Sequence, residues 1–498
     1  MLMKWLKQLQ IKSVQKNETV ETVLTEFKQS NDFAFFTHQE PVHYTICYLT
    51  TMVDSNRLHR DCLPYINKYI QEGLAVIKSK VPIEDITITT DVATVKQKIL
   101  EGCIVVKLAS NPNELMLIKA RASFDREVSP PEIEFTVTGP QEAFVESLET
   151  NLNLIRKRLP LAQLKVKQIE VGKLSKTKVA VLYLDGVADQ SNVQTMVQRL
   201  NHIEFDQVLD STTLSQMIAD DSMTLFPQLV NTERPDRVAA VLAEGKVAFF
   251  CDGSPEAIFG PATLIEFFSS LEDYYLPWHV SSAVRILRFF AVAFSVLATP
   301  IYVAVLTFHY ELIPRDLLAT IISSRSNIPF PPIVEAIFLE LTIELLREAG
   351  ARLPTKVGQT IGIVGGIVIG QASVEAGLTS NILLIIVALS ALASFTTPVY
   401  QMSNTIRMIR FPFILFAAWL GGIGIMLCML FIVTHLLKMT SLGRPYLEPL
   451  YPLRLKDWKD AFIRLPYNLL NSRPVLLRPK NKNRLPFIRM FQQKDIDE

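Results

Sequence analysis

Residues 286–308 read ILRFFAVAFSVLATPIYVAVLTF, 23 residues whose one charge, Arg288, stands near the start. At ~1.5 Å per residue a helix of this length spans ~30 Å of hydrocarbon. Arg285 and Arg288 are placed as positive flanks on the cytoplasmic side of a span would be. Pro300 interrupts the run, and a kink there requires neighbouring helices to satisfy the freed carbonyl. Residues 357–374, 379–397 and 413–437 are three further uncharged spans. Residues 285–437 therefore read as a multi-pass α-helical membrane domain, and the chain before them reads as a soluble one.

Lys+Arg is 50 and Asp+Glu is 49, a net charge of +1, which gives no basic surface for nucleic acid. With 49% hydrophobic and 20% charged residues the chain is not disordered. Its mean hydropathy of +0.25 is high for a soluble enzyme. Residues 1–12 are too short and broken for a signal-peptide core and fit an amphipathic helix, so the first 280 or so residues are expected to stay cytoplasmic.

The soluble half alternates between the two periods. Strands are expected at 42–53, 85–90, 103–108, 115–120, 133–137, 178–184 and 247–251. Helices are expected at 58–79, 92–101, 141–159 and 192–201. This is an α/β pattern in two lobes, 1–140 and 141–284, with the helix 141–159 between them. Asp185-Gly186 and Asp252-Gly253 end apolar strands, where α/β sheets bind ligands, but Asp-Gly is first of all a turn. Neither a phosphate loop nor a dinucleotide fingerprint is present, and the seven histidines and five cysteines are scattered. No enzyme, metal or cofactor chemistry follows; the cysteines are expected to be buried thiols.

Within the membrane half, residues 333–350 read IVEAIFLELTIELLREAG after the rigid Pro329-Phe330-Pro331-Pro332. Glu340, Glu344 and Glu348 fall on one helical stripe, and Glu335 precedes them on the same helix. Such a stripe either lies in water at a membrane surface or faces an aqueous pore, where rings of Glu favour cations. Gly362, Gly366 and Gly370 form two tandem G-x-x-x-G steps, a face on which helices pack closely in lipid. Residues 438–498 carry 13 Lys/Arg against 6 Asp/Glu and are expected to lie on anionic head groups as a cytoplasmic tail. Four crossings with 333–350 amphipathic or re-entrant, or five crossings, both agree with the flanking charges.

Several stretches together resemble the A subunit of the GerA-type spore germinant receptors. They are 139–159 (GPQEAFVESLETNLNLIRKRL), 225–236 (LFPQLVNTERPD), 252–255 (DGSP), 272–275 (EDYY), 329–332 (PFPP), 344–354 (ELLREAGARLP), 362–370 and 374–377 (VEAG). The resemblance covers about 130 to 437. It implies a non-enzymatic subunit in the inner membrane of the spore, partnered by a transporter-like B subunit and a lipoprotein C subunit. It also implies a ring of A subunits, a pentamer, that conducts cations when nutrient is sensed. A non-conducting scaffold and a solute transporter subunit are the competing readings.

Overall fold

In the computed structural model the described residues are 19–40, 42–111, 113–122, 130–132, 134–353, 366, 368–454, 457–470 and 472–484. Strands β1 (Phe33–His38), β2 (Tyr44–Leu49), β3 (Ile86–Thr89), β4 (Cys103–Leu108) and β5 (Leu115–Lys119) form a first sheet in the order β1-β2-β4-β5-β3. Every pairing in it is antiparallel. Side chains alternate across a strand, so β4 serves two cores. Ile104 and Val106 meet Ile66 and Ile77 of helices α2 (Leu63–Tyr69) and α3 (Leu74–Lys80). Cys103 and Val105 meet Phe27 and Ile99 of helices α1 (Val20–Lys28) and α4 (Val92–Leu100).

The second lobe repeats this plan. Strands β6 (Leu164–Val171), β7 (Thr177–Leu184), β8 (Val230–Thr232), β9 (Val247–Cys251) and β10 (Ala257–Gly260) pair antiparallel in the order β6-β7-β9-β10-β8. Helices α5 (Leu148–Arg158) and α8 (Pro235–Glu244) cover one face. Helices α6 (Gln190–Asn201) and α7 (Ser211–Met217) cover the other.

Local chemistry explains where these elements differ from the sequence reading. The single helix expected at 58–79 is broken, because Gly73 adopts φ +95° between two short helices. The helix expected from 141 begins only at Leu148: Ser147 caps it, and the Asn151 side chain holds the preceding strand-like segment through Val145 N–H at 2.9 Å. Residues 134–137 form no strand, since Thr136 and the Glu134 carbonyl accept from Arg234 instead. Both Asp-Gly steps are turns with positive-φ glycines, and Asp252 accepts Leu148 N–H at 3.1 Å.

Helix α5 joins the lobes. Its Arg156, 2% exposed, forks onto fully buried Asp32 of the first lobe, with Nε at 3.0 Å and Nη2 at 2.8 Å. Asn153 donates to the Thr51 carbonyl at 2.6 Å.

From Trp278 to Lys438 the described elements are helices. The elements are α9 (Trp278–Phe308), α10 (Arg315–Arg325), α11 (Pro332–Arg352), α12 (Asn381–Ser394), α13 (Tyr400–Leu420) and α14 (Gly422–Lys438). Among the described residues, only α9 is long and apolar enough to cross a membrane; α12 and α14 are shorter apolar helices. The span expected at 413–437 is two helices, parted at Gly421 with φ +61°. His309, just past the end of α9, accepts Gly422 N–H there at 3.1 Å and so caps α14.

Most of the span expected at 357–374, Gly362 included, lies outside the described residues. Gly366 and Gly370 are described, and among the described residues no other backbone comes within 4 Å of a Cβ built on either one; Leu384, at 3.7 Å, is the nearest neighbour of Gly370.

The tail departs from the lipid-facing expectation in the residues described. Its arginines are answered by protein: Arg444 by Asp189 at 2.6 Å, Arg454 by Glu448 at 3.0 Å, Arg473 by the Ala243 carbonyl at 2.8 Å and Arg484 by Glu244. The contacts of Arg444, Arg473 and Arg484 tie the described part of the tail to the second lobe.

Two predictions follow from this architecture. Burial pushes the thiols of Cys47, Cys62 and Cys251 up to about 12 and that of Cys103 to about 11, so none is a thiolate at pH 8. An aqueous disulfide reagent at pH 8 should leave these four unlabelled in the native protein and label them once guanidinium unfolds it. Arg156→Met should strand Asp32 in the lobe interface and cost ~3–5 kcal/mol, read as a lower Tm of the soluble part.

Candidate functional site: a charged network in the helix bundle

Helix α11 carries four carboxylates, and the bundle gives each a different environment. Glu340 and Glu344 are one turn apart on α11, while Arg407 and Arg410 are three residues apart on α13. Both spacings keep side chains on one helical face, so the two pairs can meet across a single helix contact. Glu340 is 2% exposed and pairs with Arg410, itself 2% exposed. Glu340 also accepts from Thr299 Oγ1 of α9 at 2.9 Å. Arg410 donates onward to Ser295 Oγ of α9 at 2.7 Å and to the Ser390 carbonyl of α12 at 3.4 Å. One ion pair thus ties together α9, α11, α12 and α13.

A charge taken out of water is tolerated only when paired and hydrogen-bonded. Here Ser295 and Thr299, spaced i and i+4 on α9, supply the extra polar contacts, just ahead of the helix-internal Pro300. Glu335 is likewise enclosed. It lies at the start of α12, where Ser380 N–H donates to it at 3.1 Å, and Arg325 of α10 approaches it to 2.9 Å. That position suits an anion, because the helix N-terminus carries partial positive charge.

Glu344 is half-way out, bonded to Arg347 at 3.1 Å with Arg407 at 3.5 Å. Glu348 is exposed and pairs with Arg352 at 2.6 Å. The stripe drawn from sequence is therefore split. Glu335 and Glu340 lie inside the protomer, each matched to an arginine, and do not present a carboxylate to a lumen. Glu344 and Glu348 keep the side-chain exposure that an ion path requires. Periodicity alone could not separate them, since all share one helix; the missing signal was the Arg407/Arg410 pair, which reads in sequence as flanking charge.

A second cluster locks the soluble lobe to the bundle. Buried Asp273 accepts from Arg285 Nε at 3.0 Å and from Arg288 Nη1 at 3.1 Å. Arg285 reaches on to Asp460 of the tail at 3.1 Å, and Arg464 donates to the Asp273 carbonyl at 2.8 Å. Arg285 and Arg288, which the sequence reads as positive flanks of a span, thus anchor the second lobe. The apolar core follows the same route. Val399, Met402 and Ile406 of the α13 region and Leu436 of α14 are packed in one cluster with Leu152, Phe250 and Phe259 of the second lobe. Thr405 Oγ1 donates to the Leu225 carbonyl at 2.6 Å, and Thr224 Oγ1 bonds His435 Nε2 at 2.7 Å.

A soluble double-lobed domain fused to such a bundle defines a class, and the comparisons name it. The family described as Bacillus/Clostridium GerA spore germination protein matches residues 21–476, and this chain belongs to that family. Spore germination protein GerQA of Bacillus cereus is 53% identical over 439 residues, 88% of each chain. Spore germination protein GerIA of Bacillus cereus is 47% identical over 93% of this chain and 70% of its own. Spore germination protein A1 of Bacillus subtilis is 40% identical over 84% of this chain and 87% of its own. The crystal structure of the N-terminal domain of the A subunit of the Bacillus megaterium spore germinant receptor GerK3 is 23% identical. It covers 50% of this chain and 95% of its own, with a TM-score of 0.36.

The network makes a stability prediction. Arg410→Gln should strand the Glu340 carboxylate and cost ~3–5 kcal/mol, whereas Glu348→Gln, removing an exposed pair, should cost under about 1 kcal/mol. Accumulated membrane protein and Tm in detergent should separate the two variants clearly.

Proposed function

We propose that this chain is the A subunit of a spore germinant receptor in the inner membrane of the spore. It acts there with a transporter-like B subunit and a lipoprotein C subunit, and several copies, five by the family reading, assemble into a nutrient-gated cation channel. The observation that carries the receptor reading is the family match across residues 21–476, spanning both the soluble lobes and the bundle. The conduction reading is supported by Glu344 and Glu348, which remain reachable from outside the protomer on a helix otherwise rich in apolar residues. A ring of such carboxylates raises the local cation concentration. Gly366 and Gly370, open within the protomer, are available as the face on which copies meet.

The continuous core from the second lobe into α13 and α14 gives the soluble domain a mechanical hold on the helices. Movement of the lobe relative to the bundle must repack that core or break the Asp273 cluster. A non-conducting scaffold is the second reading, favoured by the arginine partner that every glutamate of α11 finds within the protomer.

Deleting the gene in a sporulating host should abolish the germination response to at least one nutrient while leaving spore formation intact. Glu348→Lys should slow nutrient-triggered cation release several-fold at an unchanged protein level, and Gly366→Leu should reduce assembly. Wild-type release with Lys at 348, together with no conductance of the purified chain in planar bilayers, would favour the scaffold.

A further inference from the structure

The network around α11 and α13 does not balance. Among the described residues Arg347, Arg407 and Arg410 face Glu340 and Glu344, which leaves one positive charge unanswered there. The surplus falls on Arg407, which is 4% exposed. Its Nη2 is spent on Asn404 Oδ1, an acceptor it shares with Arg347 Nη1 at 3.0 Å. Its Nε stands 3.5 Å from Glu344, and neither Nε nor Nη1 has a hydrogen-bond partner among the described residues. The Phe395 ring lies beneath the guanidinium, 5.6 Å away. Buried guanidinium donors left unpaired are costly, and a buried charge calls for a counter-charge.

We propose that Arg347 and Arg407 form a binding site for one carboxylate group supplied from outside the protomer. The single surplus charge matches a monoanion, and a carboxylate brings both the charge and the acceptor lone pairs that Arg407 Nε and Nη1 lack. Arg347, with 22% of its side chain exposed, forms the way in. Arg410 takes no part, because its charge is answered by Glu340 and both of its Nη nitrogens are held by Glu340, Ser295 and Ser390. The carboxylate belongs either to a small free molecule or to an acidic side chain of a neighbouring copy of this chain; both present the same chemistry to Arg407. The site stands whether or not the oligomer conducts.

The test uses the full-length chain purified in detergent, with sodium acetate as probe and sodium chloride at equal ionic strength as control. If the site takes a free carboxylate, acetate at a hundredfold excess over its Kd raises Tm by about 3 °C. Chloride does not, Arg407→Gln and Arg347→Gln abolish the shift, and Arg352→Gln on the exposed pair keeps it. If a neighbouring copy fills the site, acetate has no effect, and Arg407→Gln and Arg347→Gln both lower the oligomer mass measured by light scattering while Arg352→Gln does not. Arg347 is partly exposed, so its variant reports even where Arg407→Gln fails to fold. An acetate shift that survives in Arg347→Gln, a chloride shift as large as that of acetate, or an unresponsive protein with unchanged mass in Arg347→Gln would overturn the proposal.

Discussion

Glu340 and Arg410 are each expensive to remove from water, and the packing of four helices is arranged around keeping them together. Their pair draws Ser295 and Thr299 of α9, Ser390 of α12 and the body of α13 onto α11. Where helices lie in lipid, whose tails are as apolar as leucine, apolar packing does not drive them together, and polar contacts and shape carry more of the association. Residues Tyr302, Val303, Ala336, Leu339, Leu383 and Val387 fill the space beside the pair as the bundle's apolar core.

This pair is also where the soluble part gains its purchase. Helix α13 holds Arg410 within the bundle, and nearer its start it places Met402 and Ile406 in the core of the second lobe. Helix α9 holds Ser295 and Thr299, and nearer its start it places Arg285 and Arg288 on Asp273. Two rigid helices therefore connect the buried pair to the underside of the lobe. A displacement of the lobe has two routes into the bundle, both made of packed side chains and short hydrogen bonds; whether both sites bias one two-state element is the further condition for coupling.

Much of the fold was legible because period and turn chemistry are local. The strands at 103–108 and 247–251 were read to the residue, since apolar β-branched and aromatic runs bounded by turns leave little choice. Strand β6 was missed, because Lys165, Lys167 and Glu170 interrupt its apolar pattern. Lys165 is buried, reaching the Glu26 carbonyl across the lobe interface, a pairing no window on the sequence contains. The candidate site was legible only on one side. The acidic residues of α11 stand out in an apolar run, but the Arg410 that answers Glu340 lies 70 positions away, and the Ser380 N–H that Glu335 accepts lies 45 away. Arg410 carries no mark of its role in the sequence, because flanking charge and buried counter-charge are written with the same residue.

The most direct test of this account exchanges the two charges. In the double variant Glu340→Arg with Arg410→Glu, the pair is restored in reverse, while either single change buries two like charges together. The account predicts that each single variant lowers Tm in detergent by several degrees or prevents accumulation, and that the exchange recovers at least half of what the worse single variant loses. Losses that simply add in the double variant would contradict the claim that this pair holds the bundle together.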